Sequence, residues 1–363
     1  MRVLIAAGGT GGHILPGVAI AKELRERGHR VHFVVKKDRD SQALLAREGF
    51  PSSAFYFEGF PRKISLRALL FPFTAVAAFL TARRIVRRES PDVFLGMGGY
   101  ISVPVGLAAV RQGVPIVLHE QNVRAGLANR FLSRWARVVA TSFELTERLS
   151  SRAGKIVWAG LPLRPDLVPK DPAESRRALG LDPDAFTLLV FGGSQGARAL
   201  NARVLDVVAQ LARERPAWQF IHLTGTADEE KVRAAYAALS CRAFVRAFHS
   251  DMATVYSAAD FVVARAGANT VMEIRRMGRA ALLVPFPHAT DDHQTANAKV
   301  LEKSGAARVI QERDLTVEAF LSVLKTLPDA AALRSQAAER LARVGPDLLS
   351  AARRAAELIM EAK

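Results

Sequence analysis

The chain has 363 residues, 50% apolar and 24% charged, which fits roughly two globular domains and excludes a disordered or fibrous class. Cys241 is the only cysteine, so neither a disulfide framework nor a thiolate metal site is available, and a reducing cytoplasm fits. The formal charge of +16 sits mostly in the first half: residues 1–160 hold 24 Lys and Arg against 11 Asp and Glu, and residues 161–363 hold 27 against 24. A basic half points to an anionic partner, nucleic acid or an anionic membrane.

Val3–Ala7 is a short apolar run that ends in glycines, too short for a signal peptide. Leu15, Val18, Ala19, Ala21 and Leu24 then recur at helical spacing, Gly28 stops the helix, and VHFVV (31–35) is the next strand. The longest uncharged stretch in this part, Ala68–Ala82, has 15 residues and contains Pro72, short of the roughly 20 that a membrane span needs. DVFLGMGG (92–99), PIVLHEQN (115–122) and VVATS (138–142) repeat the strand-then-helix pattern, which predicts a parallel sheet covered by helices.

GLPLRPDLVPK (160–170) carries three prolines and reads as a linker. After it, TLLVFGGSQGARALNARVLDVVAQL (187–211) restates RVLIAAGGTGGHILPGVAIAKEL (2–24): a strand, a Gly-Gly pair, a hydroxyl residue, glycine, and an amphipathic helix. FIHLTG (220–225), DFVVARAG (260–267) and AALLVPFP (280–287) supply further strands. The expected fold is α/β, with two doubly wound Rossmann-like domains over 1–160 and 171–346 joined by a linker over 161–170. The segment 347–363 is helical in pattern and is expected to pack back on the first domain.

The glycine loops limit the chemistry. A dinucleotide fingerprint starting at Gly9 meets Ile14 where its third glycine belongs, and the second strand ends in Lys36-Lys37 where a ribose-binding acid belongs. No Gly-Lys-Ser/Thr follows any loop, so a Walker site is excluded as well. Three glycine loops remain, at 8–12, 96–99 and 192–196, each at the C-terminal end of a predicted strand. Such loops offer backbone N–H groups and a helix dipole to a diphosphate.

The motifs GGTGGHILPG, GMGGYISVPVGLAA, LHEQNVRAGLANR, GLPLR, FGGSQGARALN, RAGANTVMEI and DDHQTANA, in this order, cover almost the whole chain. Together they resemble the MurG-type glycosyltransferases of peptidoglycan synthesis, which have two Rossmann domains facing across a cleft (GT-B). The resemblance implies transfer of N-acetylglucosamine from UDP-N-acetylglucosamine to the muramyl 4-hydroxyl of undecaprenyl-diphosphate-linked muramyl-pentapeptide, lipid I to lipid II, at the cytoplasmic face of the membrane. It implies inversion at the anomeric centre with no cofactor and no bound metal. The second domain would hold the donor and the first the lipid acceptor.

By this resemblance Glu273 holds the ribose hydroxyls. Ala268, Asn269 and Thr270 line the donor diphosphate at a helix N-terminus, Ser194 contacts phosphate, and Gln294 bonds the sugar hydroxyls. Arg164 lies near the nucleotide, the backbone around Phe248 and His249 meets uracil, and Asn122 reaches the donor from the other domain. Thr10, Gly11 and Gly12 meet a diphosphate or sugar. His13 is the leading candidate for general base, since histidine suits proton removal near neutral pH and a helix N-terminus disfavours its charged form. His119 and Glu120 are rivals for that role. Asp291 and Asp292 read as loop acids, because adjacent residues seldom converge on one ion. Leu161, Ala266 and Asn269 depart from residues common in the family, which loosens the detail of the donor contacts.

Residues 62–88 place Lys and Arg around an apolar centre, which suits an interfacial segment on anionic lipid. The residues expected on this membrane and acceptor side are Leu69, Phe71, Phe73, Phe79, Arg83, Arg84 and Tyr100. Cell-wall synthesis proteins are expected partners, and nucleic acid is not, since no recognition motif accompanies the charge. Rival readings within the fold are another UDP-sugar glycolipid transferase and a UDP-N-acetylglucosamine 2-epimerase. HEQN and GGTGGH speak against the first, and the second needs no basic amphipathic domain.

Overall fold

The computed structural model describes residues 1–8, 11–59, 66–150, 152–193 and 196–363. They form two compact units, residues 1–164 with 345–363, and residues 165–344. The first unit runs β1 (Arg2–Ala7), α1 (Gly11–Glu26), β2 (Arg30–Lys36), α2 (Arg39–Arg47), β3 (Ser52–Phe55), α3 (Leu66–Glu89), β4 (Val93–Gly96), α4 (Ser102–Arg111), β5 (Ile116–Glu120), α5 (Leu127–Leu132), β6 (Ala136–Thr141) and β7 (Lys155–Trp158). The second runs α6 (Pro172–Ala178), β8 (Thr187–Phe191), α7 (Arg198–Glu214), β9 (Gln219–Leu223), α8 (Glu229–Ala238), β10 (Ala243–Arg246), α9 (Met252–Ala258), β11 (Phe261–Ala264), α10 (Ala268–Arg276), β12 (Ala280–Leu283), α11 (His293–Lys303), β13 (Ala307–Val309), α12 (Val317–Lys325) and α13 (Ala330–Ala342). The chain then returns to the first unit as α14 (Ala351–Glu361).

Every strand pairing within the two sheets is parallel. The strand orders are β3-β2-β1-β4-β5-β6-β7 and β10-β9-β8-β11-β12-β13. These are one doubly wound topology used twice, with β7 added to the first copy. The repeated glycine segments therefore occupy the same place in each sheet: β1–α1 in one unit, β8–α7 in the other. Central strands such as β1, β5, β8 and β11 are buried along nearly their whole length, so their sequences are mainly apolar, with His119 and Glu120 closing β5 as buried polar exceptions. Periodicity does not announce β3, β7, β10 and β13. These four are the sheet edges, half in water, with little apolar sequence to mark them.

α14 completes the first core: Ala355, Ala356, Leu358, Ile359 and Ala362 join the cluster built on Val3, Ile5, Val18 and Leu24. Two arginines fasten the segment. Arg137 Nη1 donates to the carbonyls of Ala362 and Lys363 at 2.8 and 3.0 Å, and Arg354 donates to Ala159 O through Nε and Nη2 at 2.9 and 2.7 Å.

α3 is longer than the uncharged stretch implied. It has 24 residues, and its 21-residue stretch Leu69–Glu89 makes it, among the described residues, the one helix long and apolar enough to cross a membrane by length and composition. Its C-terminal half nevertheless belongs to the domain, because Ala78, Ala82, Ile85 and Val86 are buried in the second cluster of this unit. Leu69, Phe73, Val76 and Leu80 recur at helical spacing on the outer side and are 72, 74, 58 and 43% exposed. Phe71 and Phe79, expected on the membrane side, are instead half-buried against the core, Phe71 beside Phe57 with ring centroids 6.1 Å apart. The helix turns them to a different face from the exposed stripe.

In the second unit, Asp260 is fully buried ahead of β11. Its carboxylate accepts from Arg176 Nη2 at 2.9 and 2.8 Å and from Thr187 N at 2.8 Å, and it pairs with Arg334. Arg176 in turn donates to Ala258 O and Pro183 O. One acid thus ties α6, β8 and α13 to the strand.

Candidate active site

In the first unit, β1 and β4 are neighbours, so the loops that leave them meet. A Cβ on Gly8 would lie 2.9 Å from Gly99 Cα, and only two glycines allow this backbone contact. Gly98 has a φ of 91° and lies under His13; a Cβ there would sit 3.0 Å from His13 Cδ2 and 3.2 Å from Nε2. Asn129 Nδ2 is 3.5 Å from the same point. Ser102 Oγ donates to Gly98 O and Ala6 O, fixing the start of α4 to the loop. Gly11, Gly12 and His13 form the first turn of α1 and are half-buried, and Thr10 lies outside the described residues. Tyr100 is 48% exposed and rests on Gly59.

Glu120 ends β5 and is 1% exposed. Its Oε1 accepts from Asn122 N and Nδ2 at 2.9 and 3.2 Å, and its Oε2 from Gly126 N and Asn129 Nδ2 at 3.1 and 2.8 Å. Burial pushes its pKa up, and the four donors pull it back. A carboxylate so buried and so fully bonded suits an anchor for residues 122–129 better than a proton acceptor. Asn122, expected at the donor, has its amide nitrogen on that anchor. His119 is also unsuited to proton transfer with substrate: it is fully buried, with Nε2 3.1 Å from Gly160 O and Nδ1 3.2 Å from Gln121 Nε2.

Burial lowers the His119 pKa to about 4, and that of His222, enclosed by Asn201 Oδ1 and Tyr236 Oη in the second unit, to about 3. Both start from 6.5, so the unfolded chain binds the protons that the folded chain refuses. Their contribution to stability is whole above pH 6.5 and is lost as pH falls toward these values. Each should cost about 1.4 kcal/mol per pH unit in that window. Urea midpoints at pH 7 and pH 5 check this, and an unchanged midpoint would contradict it.

In the second unit, α10 begins at Ala268 directly beyond β11, with Asn269 and Thr270 half-buried in its first turn. Glu273 lies one turn on, also half-buried, and its Oε2 accepts from Tyr256 Oη at 3.0 Å. Asp291 and Asp292 both have left-handed backbone, φ 54° and 51°, immediately before α11. From its first turn Gln294 Oε1 accepts from Ala266 N at 3.1 Å and Phe286 N at 3.0 Å. The oxygen of this amide therefore clasps the loops after β11 and β12. Asn297 Nδ2 donates to Ala266 O, and Arg265 donates to Val284 O and Pro285 O and pairs with Glu312. His249 Nδ1 is 3.1 Å from Asp251 O, and the neighbouring Phe248 is 65% exposed. Arg164 is half-buried at the end of the first unit, and Ser194 lies outside the described residues.

Sequence reasoning did not single out Asn129, Asn297, Arg265 or Tyr256. The first three lie inside quoted motifs, where a buried amide or guanidinium between two loops is a readable signal. Tyr256 stands in an ordinary helical run, and only the fold brings it to Glu273.

The chain matches the glycosyltransferase family 28 N-terminal domain over residues 3–141 and the family 28 C-terminal domain over residues 187–356. It is 42% identical over 323 residues to the UDP-N-acetylglucosamine–N-acetylmuramyl-(pentapeptide) pyrophosphoryl-undecaprenol N-acetylglucosamine transferase of Paracidovorax citrulli (strain AAC00-1), covering 89% of this chain and 88% of that one. Its identity to the transferase of the same name from Azoarcus sp. (strain BH72) is 40% over 362 residues, 99% of both chains. The crystal structure of Acinetobacter baumannii MurG superposes with a TM-score of 0.78 at 33% identity over 99% of each chain. Two Rossmann-like units of the GT-B kind, both family 28 domains and this identity along the chain lead to one assignment: the chain belongs to the UDP-N-acetylglucosamine–N-acetylmuramyl-(pentapeptide) pyrophosphoryl-undecaprenol N-acetylglucosamine transferases of glycosyltransferase family 28.

Proposed function

We propose that the chain transfers N-acetylglucosamine from UDP-N-acetylglucosamine to the 4-hydroxyl of undecaprenyl-diphospho-N-acetylmuramoyl-pentapeptide, with inversion. The observation that carries this is identity of about 40% along almost the whole chain to transferases of that name. The bond from the sugar anomeric carbon to the diphosphate breaks, the bond to the acceptor oxygen forms, and UDP leaves with the electron pair. The hydroxyl proton goes to His13, whose ring is held over Gly98 beside Asn129. Glu120 keeps Asn122 and Asn129 in place.

In the second unit Glu273 takes the ribose hydroxyls, and the first turn of α10, with Ala268, Asn269 and Thr270, meets the diphosphate. The Gln294 amide nitrogen donates to a sugar hydroxyl. Arg164, Ser194 and the His249 backbone complete the donor contacts, and Thr10, Gly11, Gly12 and Tyr100 serve the acceptor. Incubation with labelled UDP-N-acetylglucosamine and a lipid I analogue tests the reading. A disaccharide lipid is expected; release of free sugar alone, or epimerised donor, would overturn it.

The lipid acceptor is met at the membrane by the outer stripe of α3. Leu69, Phe73, Val76 and Leu80 enter the interface, and exposed Arg83, Arg84, Arg87 and Arg88 face anionic headgroups. The protein therefore works as a peripheral enzyme on the cytoplasmic face, where cell-wall synthesis proteins are its expected partners. Liposome sedimentation should show binding that requires anionic lipid and weakens with salt. Equal binding to neutral vesicles at high salt would contradict this surface.

A further inference from the structure

The carboxylate assigned to the ribose is partnered from inside the second unit. Tyr256 is 0% exposed, and its ring stands edge-on to Phe191 at a centroid distance of 5.8 Å and 87°. Its carbonyl accepts from Arg279 Nε at 2.8 Å, so backbone and ring are both fixed. The hydroxyl of this immobile side chain donates to Glu273 Oε2 at 3.0 Å. Glu273 is its opposite: a half-buried side chain with three rotatable bonds at the outer part of α10. A carboxylate offers acceptor sites on two oxygens, and a donor to one of them stops rotation of the group. A hydrogen bond with an ionised acceptor is among the stronger kinds.

We propose that Tyr256 is a positioning residue for donor recognition: it holds one carboxylate oxygen of Glu273 so that the other meets the hydroxyls of a uridine ribonucleotide. This rests on the donor reading given above and extends it to a buried residue that touches no ligand. Ordering the carboxylate before the ligand arrives removes that entropic cost from binding. Substitution by phenylalanine keeps the ring against Phe191 and removes only the O–H. The carboxylate then loses the donor that fixes Oε2, and a diol must order that oxygen at its own expense.

The test is calorimetric binding of UDP and of 2′,3′-dideoxy-UDP to wild type, Tyr256→Phe and Glu273→Gln, with steady-state kinetics and melting curves alongside. Wild type should prefer UDP by about tenfold or more, Tyr256→Phe by about threefold or less, and Glu273→Gln not at all. The KM for UDP-N-acetylglucosamine should rise about tenfold in Tyr256→Phe, with kcat and acceptor KM within about twofold. Tyr256→Phe that keeps the wild-type preference, or weakens both nucleotides equally, overturns the proposal, whether or not its melting temperature falls. Wild type that binds UDP and dideoxy-UDP alike overturns the ribose role of Glu273, and this proposal with it.

Discussion

His13→Ala should lower kcat about 100-fold or more and leave the affinity for UDP within about twofold. The acceptor hydroxyl is a poor nucleophile until its proton has somewhere to go, and imidazole is the side chain whose ordinary pKa suits that near neutrality. Position adds to chemistry: His13 lies in the first turn of α1 against a glycine whose φ of 91° and lack of a Cβ make room for the ring. In wild type, the acid limb of the kcat profile reports protonation of the base. In His13→Ala that limb should vanish along with the rate. Near-normal turnover, or an intact acid limb, would remove His13 as proton acceptor.

Asp260→Ala should destabilise the second unit by about 3–5 kcal/mol. The cost comes less from the lost attraction than from what stays behind. Arg176 is 5% exposed and would remain charged with no counterion, while Arg334 and the Thr187 N–H lose their acceptor. Arg279 lies in the same field; burial first, then its cationic neighbours, lower its pKa to about 10 even with Asp260 present. A domain's whole stability is about 5–15 kcal/mol, so this is a large fraction of it. Hydrogen exchange localises the effect: protection should fall in β8 and β11 and hold in β5. A loss under about 1 kcal/mol, or one spread evenly over both units, would contradict the network.

These two residues also mark what the sequence discloses and what it hides. His13 is legible because a glycine-rich strand end followed by an amphipathic helix is a local pattern. The same locality exposes the central strands, whose burial on both faces forces apolar runs. The edge strands β3 and β7 have one side in water, and nothing local distinguishes SSAF or KIVW from a loop. Asp260 looks like a strand-initiating acid until α6 and α13, both distant in the chain, deliver arginines to it. Glu120 shows the same limit within a recognised motif. The letters HEQN mark the segment as special, but only the fold shows the carboxylate turned inward onto Asn122, Gly126 and Asn129 rather than outward to a substrate.

The return of α14 to the first unit has a consequence for the order of synthesis. Residues 165–344 form an unbroken unit and can fold as soon as they emerge. Residues 1–164 cannot close their core until Ala355, Leu358 and Ile359 exist. At about 5–20 residues per second, that helix arrives roughly 10–40 s after the rest of its unit. During the delay Val18 and Leu24 of α1 lack part of their cover, so the half made first is the half finished last. Ribosome-bound chains stalled with residue 345 just outside the exit tunnel should give a protease-resistant 165–344 fragment and a digestible N-terminal half. Equal resistance of the two would show that the first unit does not wait for its last helix.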